Sequence, residues 1–181
     1  MSRFEDDDDG EDFPNQAALW QANAERALRG KRGRQALRDL REALLALPEP
    51  KLIAGALCTV NPARRAAGRA HPDWVLADLA ELGEGVCAGG ALLWHLKVKA
   101  GMDPVEAFDS LPTLEEDSHS GWESAALIAH EAGLVRPLAV EIAFRNDETY
   151  SRMTPEERWT AFLTWINTEL SDTEPAEAAA R

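Results

Sequence analysis

Apolar residues recur at three- and four-residue spacing along most of this chain, and the polar residues between them read as helix starts and stops. Trp159, Phe162, Leu163, Ile166 and Leu170 form the clearest stripe. It is preceded by Thr154, Pro155, Glu156 and Glu157: an N-cap threonine, a proline at the first helical position where its missing N–H costs nothing, and a glutamate placed to complete a capping box. Asp103, Pro104, Val105 and Glu106 repeat the pattern before a short helix through Ala107 and Phe108. Ser120, Gly121, Trp122 and Glu123 do so before a helix from Ala125 to Glu131 that Gly133 ends.

Other helices follow from periodicity alone. Residues 14–29 predict a helix with Ala18, Leu19, Ala22 and Leu28 inward. Residues 34–47 place Leu37, Leu40, Leu44 and Leu47 on one face, and Pro48 stops them. Residues 72–82 carry Trp74, Val75, Leu76, Leu79 and Leu82 up to Gly83. Leu92 to Val98 is apolar and ends near Gly101, and residues 137–145 end at Asn146, a residue suited to a helix C-cap.

Two stretches break this rhythm. Residues 51–60 read as a strand, and Gly85 to Gly90 holds too many glycines for a helix interior. A short two-stranded hairpin from residues near 52–59 and 85–88 fits both, with helices behind it for support. The expectation is a mainly α, compact multi-helix single domain with that small β-hairpin. Its expected core is Leu37, Leu40, Leu44, Ile53, Leu79, Leu92, Phe108, Leu127, Ile142, Phe144, Phe162 and Ile166.

The two ends differ from this body. Residues 1–13 hold the run Glu5 to Asp9, then Glu11 and Asp12, whose like charges repel one another and favour a solvated, disordered tail. Residues 171–181 offer no apolar face and read as a second disordered tail, leaving a helical domain of residues 14–170. No apolar stretch approaches the roughly 18 to 20 residues of a membrane span. The N-terminus is acidic where a signal peptide is basic. Cys58 and Cys87, the two cysteines, then read as reduced thiols in a cytoplasmic protein.

Charge changes the picture more than composition does. The chain carries a formal net charge of −13, yet residues 26–70 hold eleven bases against three acids, a net of +8. Within a helix, Arg34, Arg38 and Arg41 fall at i, i+4 and i+7; Arg29, Lys31 and Arg32 lead into them past Gly30 and Gly33, a flexible approach suited to following phosphates. Such a stripe suits a nucleic-acid backbone or an acidic partner, and equally a solvated helix face. The aspartate run has the charge to fold back and mask it. The acidic remainder also suits imitation of DNA before a nucleic-acid enzyme.

Other chemistry is thinly supported. His71, His95, His119 and His130 make no helical His pair and adjoin no Cys-x-x-Cys motif. Glu115, Glu116, Asp117 and His119 offer ligands for a divalent cation in a loop, though such runs are more often solvated. Cys87, among glycines, has surroundings for a thiol nucleophile but reads better as a small buried hydrophobe. No phosphate-binding loop, nucleophile elbow or dinucleotide fingerprint occurs, so no cofactor and no catalytic residue is named. Asp147 and Glu148, between Arg145 and Tyr150, read as structural residues around helix ends before they read as ligands or bases.

In combination the chain resembles small accessory proteins of actinobacterial phages and prophages, a group mostly without assigned activity. The resemblance lies in Arg29 to Arg34, Leu47 to Ile53, Gly85 to Gly89, Lys99 to Phe108, Arg145 to Tyr150 and Thr154 to Trp159, in that order. These cover most of residues 26–166; Asn61 to Leu82 and both charged ends lie outside it. The resemblance implies a cytoplasmic protein of an infected or lysogenic bacterial cell, with no catalytic residues to carry over. The expected function is a non-enzymatic accessory protein that binds and modulates a host or phage macromolecule. The alternatives are a nucleic-acid-binding protein using residues 26–41, an acidic DNA mimic, and a small metal- or Cys-dependent enzyme.

Overall fold

The computed structural model describes residues 13–59, 84–112, 121–150 and 152–171. Within them lie seven α-helices and one small antiparallel sheet: α1 (Phe13–Arg29), α2 (Lys31–Ala46), β1 (Cys58–Thr59), β2 (Gly85–Val86), α3 (Ala88–Lys99), α4 (Pro104–Asp109), α5 (Gly121–Glu131), α6 (Arg136–Phe144) and α7 (Pro155–Ser171). A single π-turn, Arg145–Thr149, links α6 to the segment before α7. The mainly α fold with its two-stranded hairpin is therefore as the residue pattern predicts.

Two of the three expected helix starts are built from the residues named; Ser120, the third, lies outside the described residues. Thr154 Oγ1 accepts from the Glu157 amide at 3.3 Å, and Glu157 Oε2 accepts from the Thr154 amide at 2.9 Å, closing the capping box of α7. Asp103 Oδ1 accepts from the amides of Val105 and Glu106 at the start of α4. Gly101 and Gly133 follow α3 and α5 with φ of 98° and 63°, the left-handed backbone that glycine adopts without strain.

Elsewhere glycine serves close packing. Gly89 and Gly90 lie in the first turn of α3, inside a helix that their abundance argued against. A Cβ on Gly90 would stand 2.1 Å from the Leu57 carbonyl oxygen, and one on Gly89 2.3 Å from Ile128 Cδ1. The helix tolerates them because their missing side chains let Leu57, just before β1, and Ile128 of α5 reach its backbone. Gly33 likewise is buried in the first turns of α2, where a Cβ would meet the Ala27 carbonyl oxygen at 1.9 Å. The expected flexible approach to the arginines is instead a tight corner between α1 and α2.

The sheet is minimal. Cys58 pairs with Val86 and Thr59 with Gly85, and the pairing is extended by the Cys87 amide donating to the Leu57 carbonyl at 3.0 Å. Residues 47–57 run along the body without regular structure. Asn146 fastens them. Fully buried in the π-turn, it accepts from the Ala88 amide through Oδ1 at 3.1 Å and donates from Nδ2 to the Ile53 carbonyl at 2.9 Å. It is thus a tie between three segments and not the cap of α6 expected from its position.

Helix α2 packs on α1, α3 and α7, and α5 and α6 pack on each other and against α3. Leu37, Leu40, Leu44, Leu92, Phe108, Ile142, Phe162 and Ile166 are buried as expected; Ile53 and Leu127 are half-buried at its edge. Leu79 and the helix over residues 72–82 lie outside the described residues. Three expectations fail: Phe144, Leu19 and Ala22 are exposed. Phe144 is 55 % exposed, because Leu138, Ala139, Ile142 and Ala143 form the buried face of α6 and Phe144, two residues beyond Ile142, falls on the opposite side. Leu19 is 65 % exposed: α1 turns Ala24 and Leu28 inward, setting its buried face by the close contact at Gly33.

Candidate functional site

The basic helix presents three faces. Gly33, Ala36, Leu37, Leu40, Ala43 and Leu44 are buried. On the outward side Arg34, Arg38, Arg41 and Leu45 follow at i, i+4, i+7 and i+11, one longitudinal stripe. Arg38 and Arg41 are exposed, Arg34 is half-buried with a partner of its own, and Leu45 is 55 % exposed. Along the third face Gln35, Asp39 and Glu42 border α3.

The third face determines the charge of the second. Asp39 and Glu42 are the two acids of α2, and both are drawn to α3: Lys99 Nζ lies 2.8 Å from Asp39 Oδ1 and 3.6 Å from Glu42 Oε2. Among the described residues no carboxylate forms an ion pair with Lys31, Arg32, Arg38 or Arg41. Arg29, on α1, pairs with Glu25 at 3.4 Å across two exposed side chains, a contact that water and salt weaken.

The six predicted basic residues are therefore not one patch. Lys31 stands one turn before Arg34 and continues the stripe with Arg38 and Arg41. Arg32 lies at the other edge of α2, lining a cleft of about 180 Å³ with Gln35, Asp39, Leu96, Leu134 and Leu138. Arg29 belongs to the preceding helix.

Sequence reading missed the cluster on the third face. One ligand atom from each of Asp39, Glu42 and His95 lies within 4.8 Å of the other two. His95 Nε2 is buried without a hydrogen bond, 3.4 Å from Glu42 Oε2. Gln35 Nε2 donates to Asp39 Oδ1 at 3.2 Å. Hydrogen bonding and the charge of Asp39, with a smaller contribution from Glu42, raise the Lys99 ammonium above its ordinary range. The signal was present as two helical spacings, Asp39 to Glu42 at i, i+3 and His95 to Lys99 at i, i+4. Each is unremarkable until α2 and α3 are known to pack together.

The other candidates resolve differently. Cys87 is the N-cap of α3, its Sγ accepting from the Gly90 amide at 3.3 Å. Burial pushes its thiol up to about 12, outweighing the amides that favour the thiolate, so it is a packed thiol and a poor nucleophile. Cys58 is also buried and outside any disulfide, its Sγ 3.8 Å from the Pro112 carbonyl oxygen. Glu115, Glu116, Asp117 and His119 lie outside the described residues. Asp147 Oδ1 accepts from the Gly55 amide and from Asn146 Nδ2, and Arg145 lies between Glu141 and the Trp165 ring, so this segment is structural.

Compared with protein-family models, with curated proteins and with solved structures, the chain has no significant match. Among the described residues no helix is long and apolar enough to cross a membrane.

Proposed function

We propose that this protein is a non-enzymatic accessory protein of the cytoplasm that docks an acidic protein partner through the outward stripe of α2. The observation that carries this reading is the segregation of charge on one helix. Asp39 and Glu42 are occupied by Lys99, while Arg38 and Arg41 stand exposed with no carboxylate partner among the described residues. Cations held this way meet an anionic surface without first breaking internal ion pairs.

Leu45 favours a protein over a nucleic acid. It extends the arginine stripe by one turn and is more than half exposed. A phosphate backbone offers a leucine no apolar contact, whereas the core of a protein interface buries apolar side chains with arginines among them. The attribution to a phage or prophage rests on the sequence resemblance described above.

The test is capture of partners by the immobilised full chain from nuclease-treated bacterial lysate, read by mass spectrometry against two variants. A stoichiometric partner retained by the wild type, and lost with both Arg38→Ala/Arg41→Ala and Leu45→Ala, is expected. Capture that vanishes on nuclease treatment and ignores Leu45→Ala would replace this reading with nucleic-acid binding. Capture unaffected by either variant would remove the stripe from the function.

A further inference from the structure

We propose that Asp39, Glu42 and His95 form a binding site for one divalent transition-metal ion, zinc in the first instance, that bridges α2 to α3. Two carboxylates and one imidazole are an oxygen and nitrogen donor set suited to zinc, and their charge balances a dication. The donors come from two helices already fixed by packing. Asp39 and Glu42 flank the buried Leu40 and Ala43, and His95 follows the buried Leu92, Leu93 and Trp94. The ligand atoms converge within 4.8 Å, so each needs only a small adjustment to reach a common ion.

Two independent observations point to a cation. The first is His95 Nε2, a buried polar nitrogen with no hydrogen bond, on a side chain only 16 % exposed. Buried polar atoms nearly always have a partner, and the atom facing this one is a carboxylate oxygen 3.4 Å away. The second is that a cation is already drawn to the cluster: the Lys99 ammonium sits between Asp39 and Glu42. Lys99 is half-exposed on a flexible stem, so it is a competitor that can withdraw into water. Gln35, bonded to Asp39, holds that carboxylate from outside, as a supporting residue does around a metal ligand.

Three protein ligands leave the ion with at least one position for water. Asp39 also lines the cleft beside Leu96 and Leu138, which places the cluster at the rim of a small apolar recess. The inference is independent of the partner-docking stripe, which lies on the outward face of the same helix.

The experiment is calorimetric titration of the full chain, stripped with chelator, with zinc alone, and with cobalt as a spectroscopic substitute. One equivalent of zinc is expected to bind. His95→Gln and Glu42→Gln should each weaken it by about tenfold or more. Lys99→Met, which removes the ammonium from Asp39 and Glu42 and leaves all three ligands in place, should tighten binding because the internal competitor is gone. Should a ligand variant fail to fold, the Lys99→Met comparison still decides. Zinc binding unchanged in His95→Gln, no tightening in Lys99→Met, or a cobalt spectrum showing thiolate ligation would each overturn the proposal.

Discussion

Arg158 and Leu52, 106 residues apart, fasten each other's segments from both sides. Arg158 Nη1 donates to the Leu52 carbonyl at 2.6 Å, while the Leu52 amide donates to the carbonyl of Pro155 at 3.0 Å, one turn earlier on α7. Nη2 of the same guanidinium reaches the Met153 carbonyl at 3.1 Å. A buried arginine here serves as a rigid multi-pronged donor to backbone oxygens that no regular structure satisfies.

Arg158→Met, which keeps most of the volume and removes the donors, should cost about 2 to 3 kcal/mol, because two carbonyls lose their partners. Urea unfolding monitored by tryptophan fluorescence measures it. An unchanged midpoint would mean that water replaces the guanidinium without penalty.

Close backbone approach makes a second set of variants informative. Gly90→Ala and Gly33→Ala each force a Cβ to within about 2 Å of a carbonyl oxygen, at Leu57 and Ala27 respectively, and each should lose about 3 kcal/mol or more. Gly30→Ala, three residues before Gly33 in the same corner, meets the Ala27 oxygen at 3.4 Å, and should cost about 1 kcal/mol or less. Thermal melts of the three variants separate steric packing from mere loss of glycine.

Asn146→Asp keeps the shape of the tie and changes its charge. The introduced carboxylate would face the Ile53 carbonyl and the Asp147 carboxylate, where the amide now donates to both. A loss of about 3 kcal/mol at neutral pH is expected. The deficit should shrink on acidification, as protonation restores a donor; a deficit independent of pH would contradict this account.

Cys87 gives a pH dependence of definite sign. Its thiol is raised from 9.0 to about 12 in the fold, so between those values the native state keeps a proton that the unfolded chain releases. The stability contributed by this group is complete below 9 and falls as pH rises toward 12. Melting temperatures of Cys87→Ala should fall less steeply over that alkaline range than those of the wild type. The native thiol should also resist alkylation until the protein unfolds.

What the sequence made legible were the features whose cause is local. The Thr154 capping box, the Asp103 cap and the closing stripe of Phe162 and Ile166 depend on residues within two turns, and they formed as read. What stayed hidden depended on which surfaces meet. Gly89 and Gly90 look like helix breakers until Leu57 and Ile128 are found against them. Phe144 is apolar like its neighbours, yet α6 turns Leu138, Ala139 and Ile142 inward and leaves it on the outer side. Half of the site behaved in the same way. The spacing of Arg34, Arg38 and Arg41 gave their shared stripe directly, whereas the removal of Asp39 and Glu42 from that face required the packing of α3, which brings His95 and Lys99 to them.

The anchoring of residues 44–52 by α7 bears on the order in which the chain matures. Trp159 Nε1 caps the Leu44 carbonyl across 115 residues, and Arg158 reaches Leu52 across 106. During synthesis these oxygens wait for α7, the latest of the described helices, to leave the ribosome. Such late, long-range closure slows folding and prolongs exposure of the early helices to chaperones and proteases.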